Sequence, residues 1–159
     1  MSFSPQSKVW IYQSDREFTN AEVSAIQQQL NDFTSQWKAH GHQLQAKAEV
    51  LYNYFIVFIV DEASAGATGC SIDASVRVVK GIEQEYSVDL FNRFNMAYKV
   101  DNKVVVVNKE DFETLISIKK ITPDSIVFNN LVQTLADFET KWETPFKDSW
   151  HNKVFSDLL

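Results

Sequence analysis

The residues whose types and spacing could do chemistry lie between Asp61 and Asp73, in the run Asp-Glu-Ala-Ser-Ala-Gly-Ala-Thr-Gly-Cys-Ser-Ile-Asp. The run leaves an apolar stretch that reads as a buried strand and enters what reads as a helix. A helix start presents unpaired N–H groups and the positive end of the helix dipole, which hold anions and favour thiolates. Cys70, expected just before a cap at Ser71, is therefore the candidate catalytic nucleophile or redox switch, with Ser71 and backbone amides as contacts for negative charge. Asp61, Gly66, Gly69, Cys70, Ser71 and Asp73 make up the candidate ligand-binding loop. The simpler reading is that Cys70 is a small buried apolar residue in a plain connection, since free Cys is among the most often buried residue types. Asp61, Glu62 and Asp73 also oppose a thiolate, because nearby carboxylates repel it.

Other chemistries find less support. A phosphate-binding loop needs Gly-x-x-x-x-Gly-Lys-Ser/Thr, and here Cys-Ser-Ile follows Gly69, with Cys70 where the lysine should stand. His40 and His42 flank Gly41, and His151 is the only other histidine. Without a cysteine cluster or a His-Glu-x-x-His pattern, they are expected to hold no metal, and a His at a helix C-terminus is a favourable dipole partner in its own right. The Gly-x-Ser-x-Gly elbow of a Ser-His-Asp hydrolase is missing. No cofactor is expected.

Four tryptophans could line a pocket or anchor an interface. Trp37 and Trp142 fall on periodic apolar faces and read as core. Trp150 lies beyond the last clear helix, in Pro145-Phe-Lys-Asp-Ser-Trp-His151, and is followed by Val154, Phe155, Leu158 and Leu159. This aromatic tail must dock, either across its own domain or on a second copy, which makes Trp150 and Phe155 the candidate residues of a homodimer interface.

The elements that position these residues follow from the rest of the 159-residue chain. That length suits one domain spanning 1–159, and no linker, repeat or low-complexity tract interrupts it. The single cysteine excludes an intramolecular disulfide, and a formal charge of −6 argues against nucleic acid and anionic membranes as partners. The N-terminus lacks the apolar stretch of a secretory signal, and no run approaches the ~20 apolar residues of a membrane span. A cytoplasmic protein is expected.

Lys8 to Gln13 reads as a strand. Thr19 and Glu22 form a capping box, with Phe18 and Val23 as a hydrophobic staple, for a helix carrying Val23, Ile26, Leu30, Phe33 and Trp37 and ending at Gly41. Leu44 to Tyr52 alternates as a half-exposed strand, and Phe55 to Val60 is its buried neighbour, joined at Tyr52-Asn53 by a hairpin or a bulge. A second helix runs from Ser71 to about Tyr86, despite Val76, Val78, Val79 and Gly81. Phe94 to Lys99 and Lys103 to Val107 read as a hairpin, Asn108 caps a short helix with Phe112, Leu115 and Ile116, and Ile126 to Phe128 is a strand. Thr134 and Asp137 then start a helix with Phe138 and Trp142, closed by Pro145. The class is α+β, with a mixed, mostly antiparallel sheet of about five to six strands and about three to four helices.

Val9 to Ser14, Gly69 to Asp73, Asp89-Leu-Phe-Asn-Arg93, Val127 to Val132 and Lys147-Asp-Ser-Trp-His151 together resemble a small, uncharacterised bacterial family whose members are often called "ABC transporter ATPase". The resemblance covers nearly the whole chain and implies no established activity, fold or catalytic residue. The Walker A loop and the Leu-Ser-Gly-Gly-Gln-type signature of an ABC ATPase are both missing. Two functions are therefore expected as alternatives. One is a non-catalytic binding or interaction module with a protein or small-molecule partner. The other is a thiol enzyme, redox sensor or anion binder centred on Cys70 and the loop 61–73.

Overall fold

A run of Phe-Ile-Val-Phe-Ile-Val-Asp has no polar alternation, so a strand made of it needs cover on both faces and a partner at each edge. It forms β5 (Phe55–Asp61), buried along its whole length, in a computed structural model that describes residues 2–62 and 66–159. β1 (Lys8–Gln13) and β4 (Gln45–Leu51) pair antiparallel on its two sides. A hairpin joins β4 to β5, with Tyr52 and Asn53 at φ 55° and 58°.

α1 (Asn20–Ser35) starts at its capping box: Thr19 Oγ1 accepts the Glu22 N–H at 3.1 Å, and Glu22 Oε1 accepts the Thr19 N–H at 2.9 Å. Ile26 and Leu30 of α1 share a core with Val79 and Ile82 of α2 (Gly69–Tyr86) and with Ile56, Phe58 and Val60 of β5. Arg16 ties these helices together, donating to both Glu22 carboxylate oxygens at 2.8 and 2.9 Å and to the Tyr86 carbonyl at 2.6 Å. Its hydrogen bonds, with that from the Thr19 amide, hold the Glu22 carboxyl down to about 2.

The end of α1 differs from expectation. Trp37 leaves the helical row, and its indole N–H donates to the Ser71 carbonyl at 2.8 Å in a buried contact. The helix stops at Ser35, and Gly41 instead turns a short hairpin between β2 (Lys38–Ala39) and β3 (His42–Gln43), with His40 at φ 51° and Gly41 at 77°.

Within the chain two compact units are distinguished: Met1–Phe91 with Gln133–Ala136, and Asn92–Val132 with Asp137–Leu159. Gln133–Ala136 runs along the start of β1, where the Val9 N–H donates to the Gln133 carbonyl at 3.0 Å and the Leu135 N–H to the Ser7 carbonyl at 2.9 Å.

The second unit holds a sheet of order β7-β6-β8-β9, made of β6 (Met96–Val100), β7 (Lys103–Val107), β8 (Ile126–Phe128) and β9 (Glu143–Pro145). Asp101 and Asn102, at φ 48° and 66°, turn β6 into β7. Asn108 caps α3 (Lys109–Ser117), its Oδ1 accepting the Asp111 N–H at 2.8 Å. α4 (Leu135–Lys141) ends one residue before Trp142, whose carbonyl already accepts the Asn129 N–H at 2.6 Å as the chain enters β9. α5 (Trp150–Phe155) lies between 3₁₀ turns at Phe146–Asp148 and Ser156–Leu158. The class is α+β. All strand pairing among the described residues is antiparallel, shared among three sheets of three, two and four strands. Among the described residues no helix is long and apolar enough to cross a membrane.

Gly81 lies exposed inside α2, and a Cβ added there meets nothing within 4 Å. Gly81→Ala is therefore expected to stabilise the fold by about 1 kcal/mol, because it removes only the backbone freedom of the unfolded chain. The urea midpoint should rise, and an unchanged or lower midpoint would contradict the environment described.

Candidate functional site

The loop between β5 and α2 is built from groups that serve each other. Asp61 ends β5 almost fully buried, and its Oδ2 accepts the Ser4 N–H at 3.0 Å. Glu62 Oε2 accepts the Ala67 N–H at 3.1 Å, and a Cβ on Gly66 would stand 2.9 Å from that same oxygen. A side chain at Gly66 would thus push the carboxylate off its amide. Ala63, Ser64 and Ala65, part of the expected loop, lie outside the described residues.

The cap falls on Thr68 rather than Ser71. Thr68 Oγ1 accepts the Ser71 N–H at 3.3 Å, and Ser71 Oγ accepts the Thr68 N–H at 2.6 Å. Ser71 also donates its hydroxyl proton to the Thr68 carbonyl at 2.9 Å, while its own carbonyl holds the Trp37 indole. This hydroxyl, 3% exposed as a residue, is committed to the helix start and faces inward. Cys70 is the second residue of α2 and exposed, so it is not the small buried apolar residue of the simpler reading. Gly66, Gly69 and Asp73 are exposed as well. The structure therefore parts the expected pair: Cys70 opens to solvent, and Ser71 is locked beneath it.

His40 and His42 are exposed on the β2–β3 hairpin, and among the described residues no group of three or more His, Cys, Asp or Glu side chains converges as a metal site.

A second polar pair has no signature in the sequence. Ser149 Oγ and His151 Nδ1 share a buried 2.7 Å hydrogen bond whose direction depends on the imidazole tautomer. The His151 ring stacks on Trp150, with centroids 3.9 Å apart, and lies 5.8 Å from Phe112 and 6.3 Å from Phe146. Burial among these rings pushes His151 down to about 4, so it is neutral at physiological pH. A hydroxyl beside a neutral imidazole has the makings of a nucleophile and base, yet both residues are closed off from substrate, at 6% and 1% exposure. Ser-x-His alone carries no periodic signal by which it could have been found.

The tail residues named for an interface pack within their own unit. Phe155 is buried with Met96, Phe112, Ile116, Ile121, Val127 and Phe146, and Trp150 packs partly against that core. The tail leaves Val154, Leu158 and Leu159 exposed.

The chain matches no protein-family model, and neither the curated proteins nor the solved structures contain a match to it.

The environment of His151 fixes a pH response. Its pKa falls from 6.5 unfolded to about 4 folded, so between these values the unfolded chain binds a proton that the folded chain refuses. The stability is fully present above the unfolded value and declines as the pH falls toward the folded one, by about 3 kcal/mol in total. In urea titrations, wild type is expected to lose more stability between neutral pH and about pH 5 than His151→Phe does. Identical pH dependence in both would show that His151 accepts a proton in place.

Proposed function

We propose that the chain is a non-catalytic interaction module that engages a protein partner, acting in the cytoplasm as its acidic charge and lone cysteine suggest. One observation carries this reading. Phe94 and Leu131, 66% and 65% exposed, lie at the same end of the β6–β8 pair, because Tyr98 faces Val127 and the strands run antiparallel. Two large apolar side chains left open at the same end of a strand pair gain free energy from being covered. ATP has no role in this reading, since the loop 61–73 has no lysine to reach a phosphate and Glu62 already holds a backbone amide.

A photoreactive phenylalanine analogue in place of Phe94 should crosslink one discrete protein in cells, whereas the same analogue in place of Tyr52 in the first unit should not. Adding Leu131→Ser should weaken that crosslink while leaving stability within about 0.5 kcal/mol, as for a surface change. The same crosslinking pattern from both positions would remove the reading.

The exposure of Cys70 in the first turn of α2 favours a second reading, a thiol sensor or thiol enzyme. A folded-state alkylation rate above that of the urea-unfolded chain would support it, and a slower one would remove it.

A further inference from the structure

Among the described residues the three- and four-stranded sheets have four edge strands, β1, β4, β7 and β9, and three of them are guarded by three different devices. On β4, the Gln27 side chain does the work of a neighbouring strand: Nε2 donates to the Ala48 carbonyl at 2.8 Å and Oε1 accepts the Val50 N–H at 3.0 Å. The start of β1 is taken by Gln133–Leu135, which bridges it at Lys8 and Thr134. β9 has only three residues and ends in Pro145, which has no N–H to offer. These are recognised ways of blunting an edge.

β7 has no such device between Lys103 and Asn108. Val100 and Lys103 flank the two-residue turn and so exchange both hydrogen bonds, as by alternation do Tyr98 with Val105 and Met96 with Val107. The N–H and C=O groups of Val104 and Val106 therefore point away from β6. Among the described residues no backbone group outside the β6–β7 ladder bonds to either valine. Four successive valines with neither proline nor charge make a regular template for another strand.

We propose that two copies of this chain pair antiparallel through the outer edges of β7, joining their four-stranded sheets into one. The register follows from the residues. Setting Val105 opposite its own copy places Val104 against the partner's Val106 and the reverse, so all four outward groups of each strand are hydrogen-bonded. This register sets Lys103 opposite the partner's Val107, and beyond the strand ends it brings Asp101, in the turn before β7, toward the partner's Lys109, at the start of α3, so that opposite charges approach twice by symmetry. Sliding one strand by two residues one way opposes Lys103 to the partner's Lys109, and the other way runs Val106 against the partner's turn at Asn102. Lys109 already reaches Glu113 at 3.0 Å, but it remains partly exposed and free to pair across. An isologous contact of this kind closes on itself and stops at two copies.

Sedimentation equilibrium of the full chain is the test, and it should show a concentration-dependent dimer. Val106→Pro removes an outward N–H that β6 does not use, so it should weaken the dimer at least about tenfold with an unchanged far-UV spectrum. Should that variant misfold, the charges give an independent reading. Asp101→Lys and Lys109→Asp should each weaken the dimer about fivefold, and the two together should restore it. A chain monomeric at every concentration would overturn the proposal. So would a dimer indifferent to all these changes, which would place the contact on another surface such as the exposed tail around Val154.

Discussion

The first unit depends on one constraint: from Phe55 to Val60, β5 is apolar on both faces and buried throughout. Each buried Phe, Ile or Val of such a strand is worth about 1.5–3 kcal/mol. That gain requires a strand on each side, which β1 and β4 supply, and helices over the Ile56-Phe58-Val60 face, which α1 and α2 supply. Several local features then have a reason. The tight turn at Tyr52 and Asn53 sets the β4–β5 register, and Gln27 closes the sheet where a fourth strand would otherwise be recruited. Arg16, bridging Glu22 and the Tyr86 carbonyl, fixes how the two helices sit over that face.

The loop that follows β5 has the composition of a reactive site, but its polar groups are spent on local structure. Asp61 holds Ser4, Glu62 holds Ala67, and Thr68 and Ser71 cap each other. The hydroxyl nearest Cys70 in sequence is the one that closes the first turn of α2, and the Trp37 indole fastens the same residue from below. A thiol at a helix start with its neighbouring hydroxyl turned inward has the dipole to act through, but no built partner to share a proton with among these residues. The same economy governs Ser149 and His151. Their hydrogen bond satisfies two buried polar groups inside an aromatic core, and the desolvation that makes the imidazole neutral is also what shuts it away from a substrate.

What was legible in the sequence was whatever repeats with a period or carries a cap. The capping box at Thr19, the alternation from Leu44, the unbroken apolar run at Phe55 and the cap at Asn108 all name their elements directly. The start of α2 was displaced because Thr68 and Ser71 are both good caps and only packing chooses between them: Ser71 must be inside the helix for its carbonyl to meet Trp37. The end of α1 was overrun for the matching reason, since Trp37 keeps the helical spacing in sequence while its backbone has already turned away. β9 is three residues long and defined only by its neighbour β8. The two-unit division leaves no trace in composition, because the chain returns to β1 for only Gln133–Ala136 before going back.

The two units carry their chemistry differently, and the difference bears on function. The first brings together an acidic loop, a thiol and a helix start, yet its β4 edge and the start of β1 are covered and the loop's carboxylates are paired internally. The second has a well-filled aromatic core in Phe112, Phe146, His151 and Phe155, yet it leaves Phe94, Leu131 and the β7 backbone open. Units of about 60–65 residues have little surplus stability, and apolar side chains or strand edges left uncovered in one are a standing cost. Selection removes such a cost cheaply, by a proline like Pro145 or a glutamine like Gln27. Among the described residues β7 carries neither a covering side chain nor a proline, and with Phe94 and Leu131 it supports, in the reading proposed above, interactions in the second unit over interactions at the loop 61–73.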